Sequence, residues 1–174
     1  MTTLTTLAPS RAGFETDRLI LRAFAEPDIA LLPGILNDME MCQYLALVPY
    51  PYTEKDAAWY VRKGSAKSWA ITTKADRLIG SIGLDPQLGF WIAKSDWRKG
   101  YVTEAATVLL NAHFANTDTD VIASHALDNL ASGAALRGLG FVPTHQKPLR
   151  IKSRNCEVPA QVLKLTRARW EGRG

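Results

Sequence analysis

A chain of 174 residues with 47% apolar and 22% charged side chains has the size and composition of one globular domain, which excludes a multidomain machine, a fibrous repeat and a disordered chain. The net charge of +4 is unevenly spread: 13 basic and 15 acidic residues lie before Lys147, and 8 basic and 2 acidic residues lie from there to the end. That distribution excludes a uniform polyelectrolyte surface and leaves a basic terminal segment to be explained.

Residues 1–13 are Thr-rich and aperiodic and read as a loose arm ahead of one domain over residues 14–174. LILRAF (Leu19 to Phe24) is a short apolar strand, and Glu26, Pro27 and Asp28 open a helix that runs to about Ile35. PYPYT (Pro49 to Thr53) breaks the chain, and Thr53 with Asp56 three residues on resembles a weak capping box before a helix over Glu54 to Lys63. The period then shortens: Ser68 to Lys74, Arg77 to Leu84 and Leu88 to Lys94 are β-rich runs parted by turn clusters, the pattern of an antiparallel meander.

After WRKGYV, residues Thr103 to Asn116 place Ala106, Leu109, Leu110 and His113 on one helical face. A strand from Asp120 to Ala126 leads to a helix from about Leu130 to Leu139, stopped by Gly140 as a left-handed cap. Phe141 to Thr144 and Val162 to Thr166 are closing strands joined by a basic loop. The order predicts an α/β fold, a mixed sheet with helices on its faces.

The basic end can hold nucleic acid or an acidic ligand, or can form a solvated edge hairpin whose cations block sheet-to-sheet association. The edge reading is preferred, so nucleic acid is not the expected partner. Cys42 and Cys156 show no CxxC or Cys/His spacing, which argues against a metal cluster and a disulfide scaffold. MTTLTTLAPSR does not read as a secretory signal, and no apolar run nears the roughly 18 residues that span a bilayer. A cytoplasmic protein with no membrane partner is expected, as monomer or homodimer.

Trp97 to Thr103 join a strand to a helix through Gly100. Unpaired amides and the positive end of the helix dipole converge there, so the turn is suited to a phosphate or diphosphate, with Arg98 and Lys99 adding charge. Neither GxxxxGK[ST] nor GxGxxG is present, which argues against a P-loop and a dinucleotide fold.

LGFWIAKSDWRKGYVTEAATVLLNAHF (Leu88 to Phe114) and DNLASGAALRGLGFV (Asp128 to Val142) resemble the GNAT superfamily of acetyl-CoA-dependent N-acetyltransferases. ETDRLILRAF (Glu15 to Phe24) and PYPYTEKDAAWYV (Pro49 to Val61) are similar to its branch of ribosomal-protein N-terminal acetyltransferases. The resemblance implies a mostly antiparallel sheet of six to seven strands with two central strands splayed, and acetyl-CoA as donor. It implies that the amides of Arg98, Lys99, Gly100, Tyr101, Val102 and Thr103 wrap the CoA diphosphate. It further implies that Phe90, Trp91 and Ile92 pair through their backbone with the pantetheine arm. Asn129 matches a residue that contacts that arm, although it equally suits a helix N-cap. Ser132 matches a residue near the sulfur. Trp97 and Val102 depart from the superfamily turn, and Leu136 stands where many members carry a tyrosine that protonates the thiolate, which makes Ser132 or a water the substitute acid.

The acceptor implied is a primary amine, with a protein N-terminus first and a small amine or antibiotic second. A non-catalytic acyl-CoA-binding module is the reading from another class. Candidate bases are Asp85, ranked first, then His125, with Glu104 as a third whose position also suits the helix dipole. No nucleophile elbow is present, so attack is expected to be direct. Tyr44, Tyr50 and Tyr52 resemble one wall of the acceptor pocket, and they equally suit a core.

Overall fold

Alternation of apolar and polar residues, interrupted by turn clusters, produces eight strands in the computed structural model, which describes residues 13–173. The strands are β1 (Phe14–Glu15), β2 (Leu19–Arg22), β3 (Ser68–Thr73), β4 (Leu78–Leu84), β5 (Leu88–Ile92), β6 (Val121–Ala126), β7 (Val142–Ile151) and β8 (Cys156–Leu165). The helices are α1 (Asp28–Leu36), α2 (Met39–Cys42), α3 (Glu54–Trp59), α4 (Tyr101–Asn116), α5 (Leu130–Gly138) and α6 (Arg167–Glu171). Nearly all of the Thr-rich arm expected over residues 1–13 lies outside the described residues.

All strands form one sheet in the order β1-β2-β3-β4-β5-β6-β8-β7, antiparallel except for the β5/β6 pair. Period-two alternation sends Leu19, Leu21, Trp69, Ile71 and Ile82 to one face, where they meet Ala105, Ala106, Leu109 and Leu110 of α4 and Leu136 of α5. The opposite face carries Ala70 and Leu78 against Ile29, Leu32 and Leu36 of α1 and Ala57 of α3. Gly80 lies where strands β4 and β5 approach closely: a Cβ there would stand 2.4 Å from Trp91 O, so any side chain would force the central strands apart.

Several elements differ from the sequence-based expectation. The sheet has eight strands, because β1 has two residues and is too short to show a period. The expected basic loop between two short closing strands is instead a long hairpin, paired from Val142↔Lys164 to Ile151↔Cys156. Its strand β7 is the sheet edge and carries Pro143 and Pro148, which an edge tolerates because one row of its amides needs no partner. The capping box of Thr53 and Asp56 is formed, but α3 ends at Trp59 and continues as a wider π turn over Tyr60–Gly64. Gly140 adopts φ 90°, the left-handed cap expected after α5.

Two features position the site. Strands β4 and β5 stay in register from Leu84↔Leu88 to Gly80↔Ile92, whereas β5 and β6 pair only at Leu88↔Ala123 and then diverge. The diverging ends of β5 and β6 lead through residues 93–100 and 127–129 into α4 and α5, so both helix N-termini flank the resulting cleft.

Candidate active site

Beyond β5 the chain makes a single 3-10 turn (Lys94–Asp96), extends at Trp97, and then takes left-handed backbone at Arg98 (φ 61°) and at Gly100 (φ 76°) before α4 begins. The first α4 amide with an acceptor in the chain is that of Glu104, bonded to Gly100 O at 3.1 Å. The amides of Arg98, Lys99, Gly100, Tyr101, Val102 and Thr103 have no acceptor among the described residues. A run of such donors at the positive end of a helix favours a multivalent anion. The left-handed backbone at Arg98 costs about 1 kcal/mol and is held by the bonds around it.

Those bonds come from two carboxylates. Asp96 is buried and accepts two hydrogen bonds from Arg77, at 2.7 and 2.9 Å, and one from Lys99 Nζ at 2.9 Å. The ammonium of Lys99 is therefore turned to Asp96, and its backbone amide is the group that remains open at the turn. On the other side, Glu104 accepts from Thr16 Oγ1 at 2.5 Å, from Arg18 N at 3.0 Å and from Arg18 Nε at 2.6 Å. The indole of Trp97 donates to Ile92 O at 2.7 Å and ties the turn to the end of β5. Val102 is half-buried and packs its side chain against the core under α4.

Hydrogen bonds from Arg77 hold the Asp96 carboxyl far below the usual carboxylate range, against the opposing effect of burial. The native state thus binds that proton less tightly than the unfolded chain. The stabilisation is complete above the ordinary aspartate value of about 3.9 and is lost as pH falls through the lower native value. Replacing Asp96 with Asn should lower the melting temperature by about 5 °C at pH 7. The variant should also flatten the acid limb below about pH 4, and scanning calorimetry from neutral to low pH measures both effects.

Across the cleft, Asn129 caps α5, its Oδ1 accepting from Ser132 N at 3.2 Å. The N-cap role that the sequence left open is formed, and the Asn129 Nδ2 group stays available. Ser132 is half-buried, and its hydroxyl makes no hydrogen bond among the described residues. On β5, Phe90 packs toward α4 and Trp91 toward the α1/α3 face. A Cβ at Gly89 would meet nothing within 4 Å, so this strand opens onto free space beside the split.

Residues 18–142 match the Acetyltransferase (GNAT) domain family. The chain belongs to the GNAT acetyltransferases. It is an acetyl-transferring enzyme, and acetyl-CoA is the donor in this family. It is 27% identical over 144 residues to the uncharacterized N-acetyltransferase YoaA of Bacillus subtilis, covering 73% of this chain and 81% of YoaA. Its fold matches the microcin C7 self immunity acetyltransferase MccE, in complex with acetyl-CoA and AMP, with a TM-score of 0.75 at 16% identity, over 87% of this chain and 93% of the other. It also matches RimL, a ribosomal L7/L12 alpha-N-protein acetyltransferase, with a TM-score of 0.70 at 18% identity, over 87% and 91% of the two chains. Among the described residues of this GNAT enzyme, no helix is long and apolar enough to cross a membrane.

The structure separates the remaining candidates. Asp85 is partly exposed and forms an ion pair with Lys67. His125 is 7% exposed; its Nδ1 donates to Ala126 O at 2.8 Å and its Nε2 is buried without a partner among the described residues. The ring lies under α5, where a Cβ on Gly133 would come within 2.8 Å of Nε2. Leu136 is core. Of the three tyrosines, Tyr52 is buried against α1 and α3, and burial pushes its phenol well above the usual range. Tyr44 packs against Ala126 at the diverging end of β6, together with Ile151 and Val158, and Tyr50 is exposed. The α2–α3 connection that carries Tyr44 is tied to the hairpin tip by Lys152 N to Ala46 O (3.1 Å) and Ser153 Oγ to Cys42 O (2.8 Å). Sequence reasoning missed Arg18, whose partner lies 86 residues away.

Proposed function

We propose that this GNAT acetyltransferase transfers an acetyl group from acetyl-CoA to the α-amino group of a peptide or protein N-terminus by direct attack. The observation that carries the acceptor assignment is the state of the three candidate bases. Asp85 is committed to Lys67, Glu104 to Arg18 and Thr16, and His125 is enclosed beneath α5. Such a site favours an amine that is already partly neutral, and an α-amino group, with a pKa of about 7.7 to 8.0, is one. The aromatic side chain of Tyr44 packs at the diverging end of β6, the side from which an acceptor would approach.

In this assignment the amides of Arg98 to Thr103 hold the diphosphate of the donor, and the backbone of Phe90, Trp91 and Ile92 lines its pantetheine arm with Asn129 on the opposite wall. When bound, the thioester supplies an activated acetyl carbon. The amine nitrogen forms a bond to that carbon, the carbon–sulfur bond breaks, and the proton lost by the amine is matched by one gained by sulfur. In this reading the hydroxyl of Ser132, one helical turn before Leu136, gives sulfur that proton. Ser132→Ala should lower kcat by about 10²-fold and leave acetyl-CoA affinity nearly unchanged, since the effect arises as charge develops on sulfur. Equal kcat in the two proteins would assign the proton to water.

The acceptor assignment is tested by thiol release over a panel of peptides with free N-termini and small amines, including aminated antibiotics. Peptide N-termini should give the highest kcat/KM. A small amine at the head of the panel would move the enzyme to the other acceptor class.

A further inference from the structure

We propose that Arg18 and Glu104 form a latch that aims the amides of the 98–103 turn, which makes both of them positioning residues for donor binding; this rests on the assignment of that turn to the CoA diphosphate. Glu104 lies in the first turn of α4, and a free carboxylate there would compete with an anion for the same amides. Its oxygens are instead occupied from outside the helix: Oε1 accepts from Thr16 Oγ1 and Arg18 N, and Oε2 lies 2.6 Å from both Arg18 Nε and Arg18 Nη2. Burial alone would raise the Glu104 carboxyl, but these bonds outweigh it and hold the group below the usual range. The charge is neutralised and directed away from the turn.

Arg18 does more than neutralise. Its Nη1 donates to Lys99 O at 2.9 Å, and its guanidinium lies 4.8 Å above the centre of the Tyr101 ring. The carbonyl of Lys99 and the amide of Gly100 belong to one planar trans peptide and point in opposite directions. Holding the carbonyl toward Arg18 therefore aims the Gly100 N–H to the opposite side, together with the unpaired amides of α4. The latch is anchored in turn by the core, because Thr16 accepts from Leu19 N at 2.9 Å and Leu19 is fully buried in β2. A side chain from the connection between β1 and β2 thus sets the shape of an anion cradle at the middle of the chain.

The test is steady-state kinetics with two donors, acetyl-CoA and S-acetylpantetheine, which carries the thioester arm without the diphosphate. Wild type should prefer acetyl-CoA; equal kcat/KM for the two donors would overturn the diphosphate assignment itself. Given that preference, Glu104→Gln and Arg18→Gln should each raise KM for acetyl-CoA about tenfold with kcat within about twofold. Their KM for S-acetylpantetheine should not move. The double variant should be no worse than either single one, because both remove the same device. Thr16→Val deletes one bond to Glu104 and should give about a threefold increase, which keeps the test available where the larger changes lower the folded fraction. Equal losses on both donors, or no loss on acetyl-CoA, would overturn the latch.

Discussion

Gly100→Val is expected to remove most of the thermal stabilisation that acetyl-CoA gives the native enzyme. A ligand bound only by the folded state at a hundredfold excess over its Kd adds about 2.7 kcal/mol, which for a domain of this size is a rise of about 5 to 10 °C in melting temperature. Gly100 has φ 76°, and the nearest atom to a Cβ placed there is Arg18 Nη2 at 3.6 Å. The protein itself leaves room for a small group. The penalties are of another kind: a β-branched residue is strained in left-handed backbone, and its methyl groups cover amides that must approach the diphosphate. The variant should fold with a lower melting temperature and show a shift of about 1 °C or less at the same donor concentration. Thermal melts of wild type and variant, with and without acetyl-CoA, measure this. A folded Gly100→Val protein with the full shift would place the donor elsewhere.

Peptides with a free α-amine should exceed the same peptides with a blocked N-terminus and one lysine by about 300-fold in kcat/KM at pH 7. The factor is the ratio of neutral amine, set by pKa values of about 10.4 for lysine and 7.7 to 8.0 for an α-amine. It reaches the rate in full when the protein contributes no strong base, and Asp85, Glu104 and His125 are each engaged as described. As pH rises toward 10 the α-amine is already neutral while lysine gains, so the advantage should shrink to about fourfold. A pH–rate profile over pH 6.5 to about 10 with the two peptides checks both ends. A lysine peptide that is superior at pH 7 would require a carboxylate facing the acceptor that these residues do not supply.

Much of the site was readable because it is local. The strand-to-helix turn around Gly100, the capping box of Thr53 and Asp56, and the cap at Asn129 depend on residues within four positions of one another, so their spacing carries the geometry. The side chains that shape the turn were not readable. Arg18 meets Glu104 only because β2 and α4 share a core, and the pairing leaves no period in the sequence. Lys99 invited a role as a phosphate ligand, yet its partner Asp96 is three residues away on a 3-10 turn whose burial only the fold reveals. Tyr52 was ambiguous for a related reason: an aromatic residue after a proline suits a pocket wall or a core equally, and packing against α1 decided for the core. The basic end was legible as an edge hairpin, but the continuation of β7 past Thr144 was hidden by its proline and polar residues, which an unpaired edge permits and an interior strand does not.

The place of β8 in the sheet bears on how this enzyme is made. Strand β6, which forms one wall of the cleft, is bordered on its far side from Val121↔Leu165 to Ala126↔Ala160 by a strand nearly forty residues later in the chain. On the ribosome, β1 to β5 and α4 can assemble while that flank of β6 still shows a bare row of amides and carbonyls, a template for pairing with other nascent chains. Early release of a truncated chain would leave that flank open permanently. Closure of the sheet, and with it the second wall of the cleft, therefore waits until β8 has been synthesised, so a chain that stops short of β8 lacks the structure it needs to bind and turn over substrate.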